Sequence, residues 1–183
     1  GIGGQIQEVP PALDLDVFYP RKAAPSDTKR ILAMLRPSTP RRGFSMAIEV
    51  LSRLALERND VEIHTFGASD RELERYKIPF AFTNHGLVSN EMLPALYSHA
   101  YVYADFSEFH GFGRTIAEAM ACGVPCVITS SGGVSAFARD EYNCLMAPSQ
   151  DAPKMAALLR RLLDHPLLHK RLSSNARESV LSF

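Results

Sequence analysis

The chain has 183 residues, enough for one domain with a sizeable core. Its 20 Lys plus Arg residues balance 20 Asp plus Glu, so no global basic field draws it to nucleic acid or to an anionic membrane. Any anion must therefore be met by a few local cations.

Cys122, Cys126 and Cys144 form an odd set with no zinc-like spacing. They read as small core residues in a reducing compartment, not as a disulfide framework or a metal site. No apolar run reaches membrane-spanning length and no signal peptide is visible.

The opening GIGGQIQ is glycine-rich and lacks a core pattern, so residues 1–25 read as linker and domain entry, ahead of a domain over 26–183. ILAMLR (31–36) suits a buried strand. RRGFSMAIEVLSRLALERN (41–59) carries Phe44, Ile48, Leu51 and Ala55 at helical spacing. VEIHTF (61–66) predicts a second strand closed by Gly67, and IPFAFTNHG (78–86) contains a third. SNEMLPALYSHA predicts a helix from Ser89, with Pro94 in its first turn or at a kink. AYVYADF (100–106) predicts a fourth strand, and RTIAEAMACG a helix capped by Gly123. PCVITS (125–130) and NCLMAP (143–148) predict the fifth and sixth strands, before two helices over 151–165 and 166–181. The final NARESVLSF stops inside a helical run, which leads us to expect a piece of a longer protein.

Strands alternating with helices predict an α/β fold, a parallel sheet with helices on both faces. Ligands bind such sheets beyond the carboxyl ends of the strands. The functional loops are then Arg36–Gly43, Gly67–Asp70, Asn84–Asn90, Asp105–Gly113 and Ser130–Val134. In the fourth loop, Gly111 and Gly113 allow close backbone approach or positive φ. The helix that follows offers free N–H groups to an anion or a sugar hydroxyl. Glu118 lies within that helix, where a carboxylate can accept two hydrogen bonds from a vicinal diol such as a ribose. A dinucleotide fingerprint would need glycine in place of Ile116, and would follow the first strand, so NAD is set aside.

The segment FGRTIAEAMACGVPCVITSSGGVSAF resembles the signature of retaining glycosyltransferases of family 4, E-G-F-G-x-x-x-x-E-A-M-A-x-G-x-P-V followed by a glycine pair. VPPALDLDVFYP (9–20) is similar to the entry into that family's C-terminal domain, with Pro11-Ala12 where Asn-Gly is usual. LRPSTPRRG (35–43) resembles its G-R-x-x-x-x-K-G loop, and NCLMAP its N-G-x-L-x-P. The resemblance runs from Val9 to the last residue and covers the C-terminal half of the family. It implies a Rossmann-like domain of about six strands, the donor-binding half of a GT-B glycosyltransferase.

That half would bind a nucleoside diphosphate sugar, with neither metal nor cofactor. The resemblance puts Arg36 and Arg42 on the diphosphate, with Arg41 as a substitute, and Glu118 on the ribose. The first family glutamate falls eight residues before Glu118, at His110, so the motif is altered there. Either His110 takes its place beside the sugar, or the backbone of Gly111 and Phe112 carries the contact; the backbone is preferred. Gly113 completes this sugar-side loop, while Glu108 reads as structural. Gly67, Gly86 and Leu87 would flank the base.

The acceptor, a glycan or a lipid-linked glycan, would be held by a missing N-terminal domain, so the chain alone should not transfer sugar. The expected location is cytoplasmic, peripheral to a membrane in the full-length enzyme. A noncatalytic sugar-nucleotide binding module and a GT-B nucleotide-sugar epimerase are the alternatives.

Overall fold

A computed structural model describes residues 13–22 and 26–181. The glycine-rich opening and the Pro11-Ala12 departure lie outside the described residues. Six strands form one parallel sheet: β1 (Lys29–Met34), β2 (Val61–Phe66), β3 (Thr83–Asn84), β4 (Val102–Asp105), β5 (Cys126–Thr129) and β6 (Leu145–Ala147). Their order is β3-β2-β1-β4-β5-β6, so the chain reverses direction across the sheet between β1 and β4. Among the described residues six α-helices follow the strands: α1 (Phe44–Glu57), α2 (Asp70–Leu73), α3 (Leu93–Ser98), α4 (Arg114–Ala121), α5 (Ala152–Asp164) and α6 (Pro166–Val180).

The central strands are apolar on both faces because both faces are covered. Ile31 and Ala33 of β1 join the core under α1 and α5. Leu32 and Met34, pointing the other way, join Tyr97 of α3 and Ile116 and Met120 of α4. Phe18, from the segment before β1, is also buried on this second side, and its carbonyl accepts from Arg177 of α6.

Local chemistry explains most boundaries. Helix α4 ends in a Schellman motif: Gly123 takes φ 76°, its N–H donates to the Met120 carbonyl, and Val124 N–H donates to Ala119. Pro94 sits in the first turn of α3, as the sequence allows, but the helix starts at Leu93 rather than beside Ser89. The Ser89 carbonyl instead closes the preceding turn by accepting from Met92 and Leu93. The third strand, expected within 78–86, occupies only Thr83–Asn84. Pro79 has no N–H to give a ladder, and Ile78, Phe80 and Phe82 pack onto the α1 side of the core. Helix α2 was not among the predicted elements. Ser69 caps it by accepting from Glu72 N–H, and the Ser-x-x-Glu spacing marks such a start.

Candidate functional site

The strand order reverses between β1 and β4, and in such sheets this is where a crevice opens beyond the carboxyl ends. Two loops flank it, one leading from β1 to α1 and one from β4 to α4. They touch: Glu108 N–H donates to the Arg41 carbonyl at 2.8 Å. A Cβ on Gly43 would lie 1.8 Å from the Phe106 carbonyl oxygen, so only glycine lets the loops pass this closely. Gly43 (φ 65°) caps α1 and Gly113 (φ 93°) caps α4, and neither helix has a side-chain N-cap. Their leading N–H groups and positive dipole ends therefore remain available to an anion.

The arginines differ in what they already hold. Arg36 is exposed, and its Cγ lies 3.3 Å from where a Cβ on Gly67 would stand. Arg41 is also exposed, and neither it nor Arg36 forms a salt bridge among the described residues. Arg42 turns inward instead. One terminal nitrogen stands 3.5 Å from Ser107 Oγ and 3.9 Å from Asp105 Oδ2, while its buried Nε has no hydrogen-bond partner.

Asp105 was not singled out from the sequence beyond being the first residue of its loop, yet it is the hub of this wall. Its Oδ1 accepts from Ser107 N–H (2.9 Å) and Ser107 Oγ (2.5 Å). Its Oδ2 accepts from Tyr103 Oη (3.2 Å) and, through Thr115 Oγ1 (3.3 Å), ties β4 to the first turn of α4. The available signal was an acid closing an otherwise apolar strand, a buried charge that must find partners.

His110 is buried and bonded inward. Thr129 Oγ1 gives its only proton to the Ser107 carbonyl, so it accepts from His110 Nε2 at 2.8 Å, which fixes the proton on Nε2. The neutral ring then leaves Nδ1 bare, buried and unpartnered, 4.0 Å from Asp105 Oδ1. Burial is the main cause that lowers the His110 pKa; Asp105 opposes it and Arg42 adds to it. Backbone bonds stitch the same residue to the loop after β5, from His110 N–H to Ser131 and from Gly133 N–H to His110. A Cβ on Gly132 would meet the His110 carbonyl oxygen at 2.1 Å. Gly111 faces open space, Phe112 lies against Phe137 with ring centroids 5.2 Å apart, and Glu108 and Phe109 are exposed.

Glu118 is only 3% exposed, yet its carboxylate is not fully engaged. Oε1 accepts from Arg114 Nε at 2.8 Å and Oε2 from Tyr97 Oη at 3.3 Å. Burial raises its pKa, and the bonds from Arg114 and Tyr97 pull it back.

On the other flank, Gly67 N–H donates to the Gly86 carbonyl at 2.8 Å, which joins the loops after β2 and β3. Leu87 is 75% exposed and lines a cavity of about 290 Å³ with Val88 and Met92. Asn84 is occupied structurally, donating to the Ala68 carbonyl and to Asp70. A larger cavity, about 400 Å³, borders Val61, Phe80 and Phe82 at the amino end of β2, where the sheet rule places no ligand. Among the described residues, no group of three or more His, Cys, Asp or Glu is placed to hold a metal ion.

Hydrogen bonds thus join the loops after β1, β4 and β5 directly. The stem of Arg36 runs past Gly67 on the second flank. The arrangement can seat a compact anion against helix ends and arginines, with a carboxylate in the adjoining helix.

Residues 18–179 match the family model described as Glycosyl transferases group 1. The chain is 32% identical over 97% of its length to the MMP alpha-(1->4)-mannosyltransferase of Mycolicibacterium hassiacum, and 26% identical over 92% to the mannosylfructose-phosphate synthase of Agrobacterium fabrum. It spans 44% and 42% of those two proteins. Sucrose-phosphate synthase from Thermosynechococcus elongatus superposes with a TM-score of 0.84 at 26% identity, covering 98% of this chain and 49% of that one. With fold, motif order and relatives in agreement, the chain belongs to the glycosyl transferases group 1 family, as a Rossmann-like GT-B domain.

Proposed function

We propose that the chain is the donor-binding domain, over residues 26–183, of a retaining glycosyltransferase, and that it holds a nucleoside diphosphate sugar at the β1–β4 crevice. The observation that carries this reading is the contact of two loops beyond the carboxyl ends of β1 and β4, each leading into a helix start without a side-chain cap, with Arg36 and Arg41 exposed and free of salt bridges among the described residues. A sugar nucleotide carries its charge on the diphosphate, and that charge grows as the glycosidic bond breaks. Helix dipoles and guanidinium groups aimed there stabilise the departing diphosphate more than the bound donor. The names of the matched relatives support a glycosyl donor, as does a solved neighbour of the same fold from Anabaena, described in complex with UDP-glucose at 18% identity.

In this reading Arg36, Arg42 and the starts of α1 and α4 meet the diphosphate and Glu118 takes the ribose. The backbone of Gly111 to Gly113 borders the sugar, and Gly67, Gly86 and Leu87 flank the base. No cofactor or metal takes part. A separate N-terminal domain would hold the acceptor glycan, in the cytoplasm, so this chain alone would not transfer sugar.

Calorimetry with ADP, GDP and UDP tests the reading. One of them should bind, and Arg36→Ala should weaken it about ten- to a hundredfold, the worth of a charged hydrogen bond. Arg41→Ala and Arg42→Ala, compared side by side, assign the second cation. Absence of binding by all three diphosphates, or an unchanged affinity in Arg36→Ala, rejects the phosphate site.

A further inference from the structure

Arg114 is the first residue of α4, directly after the positive-φ cap at Gly113. Its Nε donates to Glu118 Oε1 at 2.8 Å, and the pair is unequal: the Arg114 side chain is 62% exposed and that of Glu118 is 3% exposed. The guanidinium thus stands between a buried carboxylate and solvent. Three physical terms make this contact easy to exchange. A cation in the first turn opposes the helix dipole. An i,i+4 pair with the basic residue first is the weaker of the two orders. The exposed partner loses little on returning to water. Nothing comparable replaces it from inside, because Tyr97 Oη holds the other oxygen.

We propose that Arg114 is a further donor-site residue. In the empty domain its guanidinium covers the Glu118 carboxylate; when a ribose diol takes that carboxylate, Arg114 turns to the diphosphate at the α4 start. This rests on the ribose reading of Glu118 given above. The same side chain then opposes binding of a bare nucleoside, which must displace it and offers it nothing. It favours binding of a nucleoside diphosphate, which gives it a new partner. Arg114 would therefore set how strongly the site prefers the phosphorylated ligand.

The test uses Arg114→Met, which removes the charge and keeps an unbranched stem and good helix propensity. Uridine, guanosine and adenosine, and their 5′-diphosphates, are titrated into the 183-residue chain at pH 8, and the base that binds best is taken forward. Arg114→Met should tighten the nucleoside about two- to fivefold and weaken its diphosphate about fivefold. The preference for the diphosphate then falls by about tenfold or more. Arg114→Lys keeps the charge but cannot reproduce the Nε contact, so it should tighten the nucleoside and retain most of the diphosphate affinity.

Glu118→Gln separates the two claims. If it weakens both ligands alike while Arg114→Met leaves their ratio unchanged, the exchange is wrong and the ribose site stands. If Glu118→Gln leaves both affinities unchanged, the ribose site falls and the Arg114 proposal with it. Should Arg114→Met fail to show the wild-type helical spectrum, the ratio in Arg114→Lys decides: tightening of the nucleoside supports the exchange, and no change overturns it.

Discussion

The two loops that face each other at the crevice are built on opposite plans. The loop after β1 shows two of its three arginines to solvent: Arg36 and Arg41 are exposed and hold no acid among the described residues, while Arg42 turns toward Ser107 and Asp105. The loop after β4 turns its polar groups inward, onto Asp105, Ser107, Thr129 and the carbonyls of the next loop. Charge on those two exposed arginines is free to serve a ligand. Polarity on the second is consumed in holding a shape, and buried polar networks are costly when broken. Substitutions of the two exposed arginines on the first loop should therefore change binding with little effect on stability, and substitutions of the buried polar groups on the second should do the reverse.

The largest effect should come where the loops touch. Gly43→Ala places a Cβ 1.8 Å from the Phe106 carbonyl oxygen at a φ of 65°, and should cost more than about 3 kcal/mol. Gly111→Ala, with nothing within 4 Å and no positive φ, should stay within about 0.5 kcal/mol. Urea unfolding of the two variants checks the contrast. A Gly43→Ala chain of near wild-type stability would mean that the loops do not meet so closely.

Next in size is Asp105→Ala, which strands Ser107, Tyr103 and Thr115 and should cost about 2 kcal/mol. Asp105→Asn should cost less, because its carbonyl can still accept both Ser107 bonds. Equal losses in the two variants would show that charge, not hydrogen-bond count, is what the wall needs. The Arg36→Ala variant offers the converse comparison, with affinity lost and the unfolding midpoint kept.

The smallest expected effect is a pH dependence. The folded-state pKa of His110 is lowered, chiefly by burial, so below the unfolded value of about 6.5 the unfolded chain binds more protons than the native one. Stability should then fall as pH drops from about 7 toward 5, by at most about 1.4 kcal/mol per unit for one such group. His64, His85 and His169 are shifted the same way, so His110→Gln should reduce the slope and not abolish it. A slope unchanged in His110→Gln would place the protons on the other three rings.

Much of this architecture is readable along the chain. β2 spans the predicted 61–66 because a β-branched and aromatic run ends at a glycine that must turn. The Gly123 stop of α4 was legible because a positive-φ cap favours one residue type. The third strand could be placed within 78–86 but not bounded, because an apolar run looks the same whether it pairs in a ladder or packs as a loop; Phe80 and Phe82 do the second. At the site, the family motif brought Arg36, Arg42, Glu118 and the glycines of the fourth loop into view, and neither Asp105 nor Arg114.

The amino-acid order by itself determined the parallel α/β class, the position of the loops at the carboxyl ends, and the family. These depend on local periodicity, on glycine placement and on motif spacing, which are properties of short stretches. The tertiary structure decided which polar groups are free. Arg41 and Arg42 are neighbours in the chain, but only Arg42 comes within reach of Ser107 and Asp105. His110 occupies a motif position and yet spends its one proton on Thr129, nineteen residues away, because the fold lays β4 beside β5. Availability of a side chain is settled by what the rest of the chain packs against it, and no local pattern encodes that.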